Sequence, residues 1–217
     1  METKLNLAEE LLLLAMHEEK GTVLLRAQTA LPYGLAGALV IELVEAGLLR
    51  LDGKNLVAAP GGHARDELLE DVLVKVRSSK RAHALKHWVF QMGRSGGKIK
   101  KKLLTRLVEK GILQREEHHV LGIFLTKHYP EADSRPEYEI RRRIRSGIFR
   151  GGSRDERAAA LISLAYACDL IGLLFEKGER RDAKRSAKEI SKKQPIGSVV
   201  AHTVAAIKAA AVIASSS

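Results

Sequence analysis

The strongest constraint on folding is a pattern of apolar helical runs closed by glycine. Leu35, Leu39, Val40, Leu43 and Val44 share one stripe at helical spacing, and Gly47 stands where a left-handed cap would end that helix. The punctuation returns later: Leu43-Val44-Glu45-Ala46-Gly47-Leu48-Leu49 is echoed by Leu107-Val108-Glu109-Lys110-Gly111-Ile112-Leu113. Each unit reads as helix, glycine stop, short strand. Two copies are too few for a solenoid, which buries its core by stacking many repeats. Upstream, Asn6-Leu7-Ala8-Glu9 has the spacing of a capping box ahead of Leu11–Leu14, so a first helix begins there and Gly21 closes the turn after it.

Periodicity predicts further helices over residues 33–46, 65–77, 81–91, 98–110, 136–149, 154–175, 179–192 and 196–213. The turn Asp52-Gly53-Lys54-Asn55 predicts a hairpin between 48–51 and 56–58. A second hairpin is expected between 112–115 and 120–125, turning around Glu116–His119. The expected fold class is mainly α: residues 1–217 form a single helical domain with two short β-hairpins, the second apolar. A chain of 217 residues fits one ordinary domain.

Charge narrows the partners. The chain carries 37 Lys and Arg against 26 Asp and Glu, a formal net charge of +11. Residues 80–115 hold 11 of those cations and a single acid, Glu109. Such a block repels itself and suits a polyanion, either nucleic acid or an anionic membrane. The lone Cys168 excludes an internal disulfide framework and fits a reducing compartment. Glu9 and Glu10 precede the first apolar run, so no signal peptide is expected, and no uncharged apolar stretch is long enough to span a bilayer. The expectation is a cytoplasmic protein that meets membranes peripherally.

Within the basic block, Gly96-Gly97-Lys98-Ile99-Lys100-Lys101-Lys102 places a loop at a helix N-terminus, where free N–H groups and the dipole favour an anion. It lacks the spaced glycine and the Lys-Ser/Thr ending of a Walker loop. At helical spacing Lys98, Lys101 and Lys102 project together and Lys100 points elsewhere, while Ile99, Leu103 and Leu107 face the core. With Arg26 and Arg94, these four lysines form the candidate headgroup-binding set. The run Val120, Leu121, Gly122, Ile123, Phe124, Leu125 lacks strand alternation, so it is a strand buried on both faces, a membrane-contacting tip or a subunit contact. His83 and His87 are spaced i, i+4 with no third ligand nearby, so no metal site is expected. No nucleophile–base or paired-carboxylate signature stands out. No catalytic residue and no cofactor is expected, and Cys168 reads as a buried thiol.

Three blocks in combination carry a resemblance: Leu5-Asn6-Leu7-Ala8-Glu9-Glu10 with the four leucines after it, Gly34-Leu35-Ala36-Gly37-Ala38-Leu39-Val40-Ile41-Glu42-Leu43, and Leu107-Val108-Glu109-Lys110-Gly111-Ile112-Leu113. Their order and spacing resemble the Golgi phosphoprotein 3 family over nearly the whole chain. The resemblance implies a helical domain with a protruding hydrophobic hairpin. It also implies an adaptor, not an enzyme, that binds phosphatidylinositol 4-phosphate at the cytosolic face of Golgi membranes and contacts cytosolic tails of membrane proteins. Where the family pocket has a Trp before the second helix, this chain has Arg26-Ala27-Gln28; where it has an Arg in the Gly-Leu-Arg-Gly stretch, this chain has Ala36. Its two later Arg positions fall on Gly97 and Lys100. Two other readings share the same features: a winged-helix-like nucleic-acid binder using the helix–hairpin units, and a scaffold whose apolar hairpin joins copies into a homo-oligomer.

Overall fold

The computed structural model describes residues 4–120, 124–150 and 155–215. Its described helices are α1 (Leu7–Leu14), α2 (Leu31–Glu45), α3 (Glu67–Arg77), α4 (Leu85–Arg94), α5 (Gly96–Glu109), α6 (Arg135–Phe149), α7 (Glu156–Ala167), α8 (Arg180–Lys192) and α9 (Pro195–Ser215). The strands are β1 (Leu49–Asp52), β2 (Asn55–Ala58), β3 (His83–Ala84), β4 (Glu116–Val120) and β5 (Phe124–His128). The fold is mainly α, as the periodicity requires.

Helix α2 is the axis of the molecule. It is apolar almost all round and buried from Gly34 through Ile41, so it packs against α1, α4, α5, α7 and α9 together. Close approach is possible because Gly34 and Gly37 lack side chains: a Cβ on either would sit 2.4 Å from Cys168 Sγ or Val200 Cγ2. Helix α1 begins at the capping box, with the Asn6 side chain accepting from the Glu9 N–H and the Glu9 carboxylate accepting from the Asn6 N–H, both at 2.9 Å. Gly47 and Gly111 take φ of +70° and +69° and close α2 and α5 identically, the next N–H reaching back to the carbonyls of Leu43 and Leu107. Asp169 does the same after α7 at φ +61°, so the helix expected over 154–175 stops at Ala167.

The first hairpin lies as expected, with Leu49 opposite Ala58 and Asp52 opposite Asn55. His83 and Ala84 add a third strand to it, so α4 starts at Leu85 and not at 81. The second hairpin is displaced from its expected position. Glu116–His119 are not a turn: they pair in β4 with residues of β5, Glu116 opposite His128 and His119 opposite Leu125. Val120 and Phe124 form the last described pair; Leu121, Gly122 and Ile123 of the apolar run lie outside the described residues. Backbone bonds from Tyr129 to Gly21 and from Gln114 to Pro130 tie the base of the ribbon to the body.

Candidate headgroup site at the junction of α2, α4 and α5

Ser95 alone joins α4 to α5, serving as the last cap of one and the first cap of the other. The junction presses onto the start of α2. A Cβ on Gly93 would fall 2.1 Å from the Tyr33 ring, and one on Gly96 would fall 2.4 Å from Pro32 Cβ. Only glycine permits those approaches, because ordinary carbon contacts are near 3.5–4.0 Å. Tyr33 in turn stacks on Phe90 at 6.2 Å between ring centroids. Two glycines mark this bend in the sequence, but nothing local points to the proline and tyrosine they meet, since those contacts join segments about sixty residues apart.

The electrostatics of α5 are unusual at its start. Its N-cap residue, Ser95, makes no side-chain hydrogen bond to the helix, and the first turn holds no acid. Lys98 stands in that first turn, where the macrodipole is positive and a cation is unfavourable by roughly 0.3–1 kcal/mol, and Lys100 and Lys101 follow in the next turn. Among the described residues, no carboxylate lies within ion-pair distance of these three lysines, of Arg26 or of Arg94. Arg26 lies exposed in the turn that leads into α2, beside Leu25, whose side chain is 82% exposed. Arg94 is exposed in the last turn of α4. The opposite flank of α5 is neutral because α3 supplies acids: Lys102 Nζ binds Glu67 and Asp71 at 2.8 and 3.1 Å, and Arg106 binds Asp66 at 2.6 Å. Those hydrogen bonds hold the Lys102 ammonium above its ordinary pKa. Lys102 is therefore set apart from Lys98 and Lys101, with which helical spacing grouped it.

Elsewhere the charges are mostly spent on each other. Lys110 holds the buried Glu9 at 2.7 Å, so a residue of the basic block secures the first helix. Arg143 and Arg157 converge on buried Glu10, and Arg157 reaches Glu42 at 2.9 Å. Glu10, Lys110, Arg143 and Arg157 border a concavity of about 1220 Å³ between α1 and α6. Burial raises the Glu137 carboxyl there to about 7 despite the Arg141 guanidinium 2.8 Å away. Cys168 is fully buried, and desolvation pushes its thiol up to about 12, the behaviour of an inert packing group. His83 and His87 stack face to face at 4.2 Å, and no group of metal-competent side chains occurs among the described residues.

Of the family pocket positions, Ala36 is fully buried in α2, Gly97 opens onto empty space at the start of α5, and Lys100 is half-buried one turn on. Among the described residues no helix is long and apolar enough to cross a membrane. A helical domain with an axial apolar helix, paired glycine-capped helix–strand units and an unneutralised cationic corner is the class that the coordinates define. The family model for Golgi phosphoprotein 3 (GPP34) matches residues 7–207. The chain belongs to that family.

Proposed function

We propose that the protein is a peripheral membrane adaptor that recognises anionic phospholipid headgroups at the start of α5. Arg26, Arg94, Lys98, Lys100 and Lys101 form the cationic surface, and Lys102 stays with α3. One observation carries the reading: Lys98 in the first turn of α5 against the helix dipole, with Lys100 and Lys101 in the next turn and no acidic partner for the three among the described residues, an arrangement that a bound phosphate or anionic surface relieves. Family resemblance puts phosphatidylinositol 4-phosphate first among headgroups. Val120, Leu121, Ile123, Phe124 and Leu125 at the ribbon tip would contact the apolar layer, giving the two weak signals that reversible anchoring needs. The protein acts by binding, not catalysis, at the cytosolic face of a membrane; cytosolic tails of membrane proteins are its proposed clients.

Vesicle co-sedimentation of charge variants tests this. Each cation near an anionic surface contributes about 1 kcal/mol, so Lys98→Ala with Lys101→Ala weakens binding to vesicles containing phosphatidylinositol 4-phosphate roughly thirtyfold. Lys102→Ala leaves it nearly unchanged, because its ammonium already serves Glu67 and Asp71. Equal losses in the two variants contradict the site. Tight duplex DNA binding that responds to the same substitutions, without vesicle binding, favours the nucleic-acid reading instead.

A further inference from the structure

A second concavity collects cations away from the α2–α5 junction. The end of α7, the short 3-10 turn Ile171–Leu173, α8 and α9 border an open groove of about 620 Å³. Its polar lining is Lys184, Arg185 and Lys188 from α8, Lys208 from α9, the Tyr166 side chain and one acid, Asp169. The floor beneath them is apolar.

The arrangement follows from how α8 is anchored. Ala183, Ala187 and Ser191 are its buried stripe, and Ser191 bonds Ser163 of α7 at 2.9 Å. Lys184 and Lys188 stand one residue beyond that stripe, one turn apart, and overhang the groove. The end of the Lys184 side chain lies over Gly172, its Cε 2.7 Å from where a Cβ on that glycine would stand. Arg185 bonds Asp182 at 3.1 Å, but among the described residues no carboxylate lies within ion-pair distance of Lys184, Lys188 or Lys208.

Two ordinary explanations account for part of this charge. The last carbonyls of α7 carry about half a negative charge and favour a nearby cation, and Lys208 fills that role, since its charge reaches Cys168 at the helix end. Asp169 offsets one more. With Arg185 spent on Asp182, the three remaining lysines against one carboxylate and half a dipole leave between one and two positive charges unbalanced in one groove, with Lys184 and Lys188 one turn apart on α8. We infer that the groove binds a compact phosphate-bearing anion. Lysine suits phosphate as a point-charge partner, and Tyr166 offers a hydroxyl and an aromatic wall. The ligand is either a soluble phosphate ester or a phosphorylated lipid headgroup. This inference does not rest on the α5 site.

The test removes the α5 site first. In a Lys98→Ala, Lys101→Ala background, calorimetry with inositol trisphosphate is expected to show one site. Adding Lys184→Ala and Lys188→Ala weakens it about thirtyfold. Lys177→Ala with Lys193→Ala, which removes the same charge from exposed positions outside the groove, leaves it unchanged. Absence of binding in the background protein, or an equal loss in the two double variants, overturns the proposal. Two results support it and separate the sources. If Lys184→Ala and Lys188→Ala also release the protein from phosphatidylinositol bisphosphate vesicles, the ligand is a headgroup; if vesicle binding is unmoved while trisphosphate binding falls, it is soluble.

Discussion

Gly96 and Gly97 are neighbours in sequence with opposite surroundings, and substituting each by alanine isolates the close contact that builds the α2–α5 corner. A methyl on Gly96 would meet Pro32 Cβ at 2.4 Å and its Cα at 2.8 Å, more than half an ångström inside ordinary contact for each. Neither atom can swing away, since one belongs to the proline ring and the other to the backbone of α2. Overpacking of this kind costs about 1–3 kcal/mol. The helix-propensity gain of at most about 1 kcal/mol offsets little of it at a first-turn position. For a chain of this size each kcal/mol moves Tm by about 2–4 °C, so Gly96→Ala should lower Tm by roughly 4–8 °C. A methyl on Gly97 meets nothing within 4 Å, so Gly97→Ala should be neutral or slightly stabilising. Thermal unfolding followed by circular dichroism reads both. Where Gly96→Ala is folded, it should also bind anionic vesicles more weakly, because Lys98 and Lys101 shift relative to Arg26. Identical Tm values for the two variants would refute the packing argument.

Two further outcomes follow from other parts of the molecule. Burial lifts Glu137 from 4.5 to about 7, so its contribution to stability is full below about 4.5 and is lost as pH rises through 7. Its share is on the order of 3 kcal/mol, and urea unfolding at pH 5.5 and pH 8 should show a smaller difference for Glu137→Gln than for the unsubstituted protein; an unchanged difference refutes the assignment. Phe124→Asp at the ribbon tip should lower vesicle binding while light scattering shows the same particle mass; a fall in mass with vesicle binding intact would assign the tip to contacts between copies.

Much of the architecture could be read from local signals. The Asn6–Glu9 capping box and the stops at Gly47 and Gly111 depend on residues within one or two turns, and the backbone obeys them. Asp169 takes the same left-handed stop without being glycine, which composition does not announce. The second hairpin was misplaced because Glu116 to His119 look like turn residues, whereas each pairs with a β5 residue. The basic block was legible as charge but not as a site. Lys102, Arg106 and Lys110 are neutralised by Glu67, Asp71, Asp66 and Glu9, acids that lie far away in sequence and belong to other helices. Glu9 and Glu10 look solvated in a linear reading, yet both are buried because Lys110, Arg143 and Arg157 reach them. Periodicity reports which face of a helix is apolar; it does not report which opposite charges tertiary packing brings together.

The central claim is that unpaired cations at the start of α5 draw the protein to anionic lipid. The most direct measurement is co-sedimentation of the unsubstituted protein with phosphatidylcholine vesicles, alone and with phosphatidylinositol 4-phosphate, over a range of salt. Little binding to the neutral vesicles, strong binding to the charged ones and steep weakening as salt rises are expected. Equal binding to both, or binding to neither, would contradict it.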